Sequence, residues 1–214
     1  MPLLLLDLDN TLIDRDAAFR AAMAAFLADH GLPAEDLARL MALDADGYTP
    51  RPAVAEAMTR RYADRVPPAA IRAVLDHGAA DRVTLADPVR ASLLAAAAAG
   101  WIPVVVTNGR TVQQTEKIRR TGLDTLVDSW VISEAAGHKK PAPEIFRVAA
   151  AGRSLKSAWM VGDSAHADIG GAGALGLRTA WVARGRTWCE GDFAPTLTAA
   201  DTATAIDGIL VSGP

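Results

Sequence analysis

Two patterns of apolar residues alternate along the chain. In one, short runs are continuously apolar: Leu3–Leu6, Ile102–Val106, Trp130–Ile132, Trp159–Val161 and Thr179–Val182. A run without polar alternation reads as a strand buried on both faces, the kind found inside parallel sheets. In the other, apolar residues recur every three or four positions. Ala17, Phe19, Ala22, Met23, Phe26 and Leu27 predict a helix that Gly31-Leu32-Pro33 stops. A second helix is expected from Pro33 to about Leu43, with Leu37, Leu40 and Met41 on one side. Helical spacing resumes with Val54, Ala57, Met58 and Tyr62, and again with Ile71, Val74 and Leu75.

From Asp87 onwards the two patterns take turns. Asp87-Pro88 predicts a helix start, with Asp as the cap and Pro in the first helical position, and Gly100 stops that helix after Ala99. Further helices are expected over Thr111–Arg120, Pro143–Ala151, Ala165–Leu175 and Ala203–Leu210, with a short strand at Pro195–Thr198. Alternating strands and helices predict an α/β fold, a doubly wound, Rossmann-like parallel sheet with helices on both faces. The all-helical stretch before Asp87 interrupts this order and reads as an inserted α-helical cap subdomain. The expected division is residues 1–14 and 84–214 for the α/β core and 15–83 for the cap.

Composition narrows the class. The chain has 214 residues, half of them hydrophobic, enough for one core with a modest insertion. A net charge of −3, with acids and bases interspersed, gives no basic footprint for nucleic acid or an anionic membrane. No run approaches the length of a membrane span, and the first Leu run is too short and too acidic behind for a signal peptide. Cys189 is the only cysteine, so no internal disulfide is expected and a reducing, cytoplasmic setting is the natural reading.

The chemistry collects where strands end. Asp7 and Asp9 follow the first run, and side chains two apart on a strand point the same way, so both carboxylates are expected at one sheet edge. Two carboxylates so close need a cation between them, a retained proton, or water around both. Thr107-Asn108-Gly109 follows the second strand, Lys140 follows the third at a short distance, and Asp163 and Asp168 follow the fourth. Ends of parallel strands lie on one edge, so these groups can converge. Asp7 and Asp163 offer hard oxygen ligands suited to magnesium. Thr107 offers a hydroxyl, and Asn108-Gly109 offers backbone N–H groups at a helix start, both suited to phosphate.

In this order, the segments Asp7-Leu-Asp9-Asn-Thr11, Val104-Val-Val-Thr107-Asn-Gly109, Ser133 to Phe146 around Lys140-Pro141, and Val161-Gly-Asp163-Ser-Ala-His-Ala-Asp168 resemble the four ordered motifs of the haloacid dehalogenase-like hydrolase superfamily. The resemblance implies roles. Asp7 is the nucleophile that forms an aspartyl-phosphate and a ligand of Mg2+. Asp9 is the general acid/base, its backbone carbonyl a second metal ligand. Thr107, Asn108, Gly109 and Lys140 bind phosphate, Lys140 also steadying the nucleophile. Asp163 binds the metal, and Asp168 supports the metal water or Lys140. Asn10 stands where the family often has Gly, and Asn tolerates the positive φ such a turn requires.

Asp9 favours cleavage of a phosphate ester, whose leaving alkoxide needs a proton, over displacement of a halide, which does not. The expected activity is metal-dependent hydrolysis of a small phosphorylated metabolite, because a cap over the strand ends would exclude large substrates. A phosphomutase, a haloacid dehalogenase and a non-catalytic protein that binds a phosphorylated metabolite are the alternatives, and monomer and homodimer both stay open. Gly170, Gly171 and Gly173 lie inside a helix pattern and read as close packing of that helix on the sheet. Arg51, Arg60 and Arg61 read as solvated.

Overall fold

The structure is a computed structural model that describes residues 1–213. Six parallel strands form one sheet: β1 (Leu3–Leu6), β2 (Ile102–Thr107), β3 (Ser129–Ile132), β4 (Trp159–Gly162), β5 (Arg178–Val182) and β6 (Leu197–Ala199), in the spatial order β3-β2-β1-β4-β5-β6. The order reverses at β1, which pairs with β2 on one side and β4 on the other. Ligands of open α/β sheets bind at the carboxyl ends of the strands beside such a reversal. Leu6 is in register with both Val105 and Val161, so the residues just past β1, β2 and β4 emerge together.

The runs in β1, β2, β4 and β5 become interior strands because both faces are covered, whereas Trp130–Ile132 lies in β3, a half-buried edge strand. Leu3, Leu4, Leu5 and Leu6 are all fully buried. Burying one leucine side chain is worth about 1.5–3 kcal/mol, and a single polar replacement within the run would forfeit it. Leu3, Leu5, Val104, Val106 and Met160 pack with Ile145, Phe146 and Ala149 in one core cluster.

The described residues fall into two compact units, residues 14–83 and residues 1–13 with those from Thr84 on. The first is purely helical: α1 (Arg15–Asp29), α2 (Asp36–Asp44), α3 (Arg51–Tyr62) and α4 (Pro68–His77). Phe19, Met23, Phe26, Leu40, Val54, Met58 and Ile71 are among its buried residues. Its charges are more organised than the sequence suggests. Asp44 is fully buried between Arg15 and Arg51, and Asp36 is buried against Arg61 and Tyr62. Arg51 is thus a half-buried structural partner, whereas Arg61 pairs with Asp36 while staying exposed, as Arg60 does.

The second unit adds α5 (Asp87–Ala98), α6 (Thr111–Arg120), the short α7 (Ser133–Ala136), α8 (Pro143–Ala150), the single turn α9 (Gly171–Gly173) and α10 (Thr202–Ser212) to the sheet. Asp87 is the first residue of α5, behind Ala86 as the cap, because Pro88 suits the first turn and needs no N–H partner there. The expected helix at Ala165–Leu175 is instead a π-helical stretch, Ala165–Gly170, followed by α9. It starts at Ser164, whose hydroxyl accepts from the Ala167 N–H. Gly170 and Gly171 do permit close packing, but on side chains and a loop rather than the sheet, and Gly173 faces open space. A Cβ at Gly171 would lie 2.8 Å from Pro141, and one at Gly170 would lie 3.1 Å from Phe193.

Candidate active site

Strand β1 ends at Leu6, and the chain then turns sharply. Asn10 takes φ +62°, its N–H donates to the Ile13 carbonyl, and the Ile13 N–H returns to the Leu8 carbonyl. The turn gives Asp7 and Asp9 different partners, contrary to the shared direction expected of a continuing strand. Asp7 stays against the sheet, its N–H donating to the Val161 carbonyl at 2.9 Å. The Asp9 carboxylate meets α6.

Lys140 organises the first acid. It is buried, and its ammonium donates to Asp7 Oδ1 at 2.6 Å and to the Val106 carbonyl at 2.7 Å, with Asp168 Oδ1 also 2.7 Å away. Two of its three protons are placed in hydrogen bonds, and the contact with Asp168 is an ion pair whose Oδ1 accepts no hydrogen bond. The neighbouring Lys139 is exposed, so the two lysines are physically distinct. Asn108 fixes the backbone beneath Lys140. Its side-chain amide donates to the Lys140 carbonyl at 2.9 Å and accepts from the Lys140 N–H at 2.8 Å. The Thr11 hydroxyl donates to the second oxygen of Asp7 at 3.2 Å.

Asp168 reaches this centre from the π-helical stretch. Its Oδ2 accepts from the Ser164 N–H at 3.0 Å. Gly162 at the end of β4 makes the room, since a Cβ there would lie 2.2 Å from Asp168. Asp163 is tied down by its neighbours. Its carbonyl accepts from the Trp181 indole at 2.9 Å and from Arg186 at 2.8 Å, and its carboxylate accepts from Arg186 at 3.1 Å.

Asp7, Asp163 and Asp168 offer carboxylate oxygens that all lie within 4.8 Å of one another. Against three carboxylates stand the buried Lys140 and, toward Asp163, the more exposed Arg186 and Arg184, so among the described residues Lys140 is the one buried positive charge beside the three acids. Burial pushes Asp7 up to about 8 despite Lys140, with Asp168 and Asp163 adding to the rise. Burial likewise pushes Asp163 up to about 6. Burial opposes charge on Lys140 as well, but Asp168 and Asp7 outweigh it and hold its proton more tightly than usual. Clustered hard oxygens fit a divalent cation such as magnesium.

The second acid lies in a network that the sequence reading missed. Lys117 on α6 donates to both oxygens of Asp9 at 2.8 Å. Gln114, one turn earlier, donates to Asp9 Oδ2 at 2.9 Å and to the Thr107 hydroxyl oxygen at 2.7 Å. Both residues are buried. The available signal was spacing: Gln114, Lys117 and Ile118 share the helix face that follows a strand end. Gly109 is assigned to phosphate by position, but its N–H donates to the Ser133 hydroxyl at 3.0 Å, and its missing Cβ makes room for Gln114.

The family model of haloacid dehalogenase-like hydrolases matches residues 4–182. The chain is 37% identical over 99 residues to a glyceraldehyde 3-phosphate phosphatase of Pyrococcus furiosus, covering 45% of this chain and 41% of that protein. It is 34% identical over 122 residues to a phosphoserine phosphatase of Thermus thermophilus, covering 56% and 49%. The matched segments therefore span less than half of these curated relatives. Among solved structures, the magnesium-bound hydrolase YfnB of Bacillus subtilis superimposes with a TM-score of 0.77 at 23% identity, covering 94% of this chain and 95% of that one, a likeness of fold.

Proposed function

The chain belongs to the haloacid dehalogenase-like hydrolase family, and from that premise we propose that it is a magnesium-dependent phosphatase of small phosphate monoesters. The observation that carries the reading is the Lys140 ammonium between Asp7 and Asp168, with Asp163 in the same oxygen cluster. Asp7 and Asp163, with the Asp9 backbone carbonyl, would hold the ion. When bound, magnesium offsets the charge of the nucleophile and of the phosphoryl oxygens it approaches.

The residues then divide the work. Lys140 keeps Asp7 in place and favours its ionised form, which burial opposes until a cation is bound. A carboxylate oxygen of Asp7 attacks phosphorus, the ester P–O bond breaks, and Asp9, which must first take up a proton in exchange for its bonds from Lys117, gives that proton to the departing alkoxide. Water next attacks the phosphorus of the aspartyl-phosphate, Asp9 takes its proton, and inorganic phosphate leaves with Asp7 restored. The Thr107 hydroxyl and the Asn108 N–H hold phosphoryl oxygens, and Asp168 keeps Lys140 in position. The inserted helical unit is assigned the role of cap from its place in the chain alone.

The choice of phosphatase over dehalogenase rests on Asp9, whose proton a halide does not need, and on relatives named for the phosphates of a triose and an amino acid. The test is phosphate release from glyceraldehyde 3-phosphate, phosphoserine and a nucleoside monophosphate, with magnesium and with a chelator, beside Asp7→Asn. Release that needs magnesium and disappears in the variant is expected. Release that survives in Asp7→Asn would remove the assigned nucleophile, and no release from any ester would remove the phosphatase reading.

A further inference from the structure

We propose that Gln114 is a positioning residue that turns the Thr107 hydroxyl into a donor aimed at a phosphoryl oxygen. The inference rests on the phosphatase reading for the identity of the anion. Its starting point is the single amide nitrogen that meets both Thr107 and Asp9. A carboxylate only accepts, so the atom of Gln114 facing Asp9 must be the nitrogen, because the reversed amide would set two acceptors against each other. Its two N–H groups are thereby assigned, one to Asp9 and one to Thr107.

The consequence falls on Thr107. Its oxygen already accepts from Gln114, which leaves the hydroxyl proton to give. The Asn108 carbonyl lies 3.5 Å away, well beyond the usual hydroxyl range of about 2.5–3.0 Å. Thr107 is only 1% exposed, so bulk water is a poor outlet. A buried donor with no good acceptor is costly, and a phosphoryl oxygen at the strand end would supply one. Had Thr107 faced an acceptor on α6, its proton would have turned inward and been lost to the substrate.

Two further features hold Gln114 in this pose. Lys117 grips both oxygens of Asp9, so the outer anchor of the amide is itself fixed. Gly109 takes φ +155°, and a Cβ there would lie 2.9 Å from Cγ and Cδ of Gln114. The phosphate loop is thus folded around this side chain.

The test is a double-mutant cycle read by titration of inorganic phosphate, with magnesium present, into the wild type, Gln114→Met, Thr107→Val and the double variant. A hydrogen bond to a charged group corresponds to a loss of about tenfold or more in affinity, and Thr107→Val is expected to show it. Gln114→Met should lose a similar factor, and the double variant should bind no more weakly than Thr107→Val alone. If Gln114 served only to keep the loop packed, the two losses would multiply to about a hundredfold. Multiplying losses, or unchanged affinity in Gln114→Met, would overturn the proposal. Gln114→Leu runs the same cycle should the Met variant fail to fold. The two readings fail separately. A wild type that hydrolyses no ester but shows non-multiplying losses removes the phosphatase and keeps the role of Gln114. A wild type that hydrolyses esters while the losses multiply does the reverse.

Discussion

The helical unit and the strand ends each bury a cluster of charge, and the two clusters are built on opposite principles. In the helical unit every buried acid is answered. Asp44 accepts from Arg15 through both oxygens, from Arg51 at 2.7 Å and from the Gly47 N–H at 2.9 Å. The guanidinium groups of Arg15 and Arg51 also lie over the Phe19 ring. The Arg61 guanidinium beside Asp36 holds that carboxyl below its usual range. At the strand ends burial wins instead, pushing Asp7 up to about 8 and Asp163 up to about 6. A closed network stabilises the fold and has little left to offer a ligand. A network in which burial outweighs the positive charge beside it costs stability and is a place where a cation and an anion can be bound together.

Exchanging one acid for its amide in each cluster breaks the comparison most sharply. Asp7→Asn should lower turnover by about 10⁴-fold or more, since no nucleophile remains. The same change removes a buried charge held against its preference, so the metal-free melting temperature should hold or rise by about a few degrees. A variant that lost turnover only through unfolding would erase the distinction. Asp44→Asn should do the opposite. It leaves Arg15 buried without its main partner, and breaking such a pair costs about 3–5 kcal/mol, measurable by urea unfolding. A loss under about 1 kcal/mol, the range of exposed pairs, would place Asp44 among surface charges.

The same contrast explains what the sequence made legible. The sheet was readable because Leu3–Leu6 and Val104–Val106 are buried on both faces, and such short unbroken runs, alternating with helices, fit parallel strands. The strand-end acids and Lys140 were readable because polar residues follow apolar runs so abruptly. Gln114 and Lys117 were not, because in sequence they belong to an ordinary polar helix, and only the direction of that helix turns them inward. The partners of Asp44 and Asp36 were hidden for a related reason. Asp36 meets Arg61 across 25 residues, a pairing set by how helices pack rather than by spacing along one of them. The divergence of Asp7 from Asp9 escaped because it depends on β1 stopping at Leu6, and boundaries are the weakest part of a pattern reading.

A smaller effect sharpens the contrast by supplying the missing charge. Magnesium should raise the melting temperature, because a ligand that binds only the folded state stabilises it by about 2.7 kcal/mol at a hundredfold excess over its dissociation constant. Asp163→Asn should reduce that rise, since the cluster of Asp7, Asp163 and Asp168 loses one oxygen donor. Asp44→Asn should leave the rise unchanged although its starting temperature is lower. Equal magnesium shifts in the wild type and Asp163→Asn would remove Asp163 from the ion's ligands.

The smallest effect lies in the acid limb of the helical unit. The Asp36 pKa is lowered from 3.8, first by its hydrogen bond from Arg61 and then by that from Tyr62, with burial opposing. A depressed folded value means the unfolded chain takes up the proton first. The stabilisation is therefore fully present above the unfolded value of about 3.9 and is lost as pH falls through the lower folded value. Arg61 is itself part exposed, so solvent screens the pair and the effect is modest. The difference in urea midpoint between the wild type and Asp36→Asn should be constant above about pH 5 and should shrink below about pH 4. A difference that persisted undiminished at lower pH would mean that the uncharged hydrogen bonds to Arg61 and Tyr62 hold this corner. The helical cluster would then owe its stability to geometry more than to charge, and the contrast with the strand ends would rest on Asp44 alone.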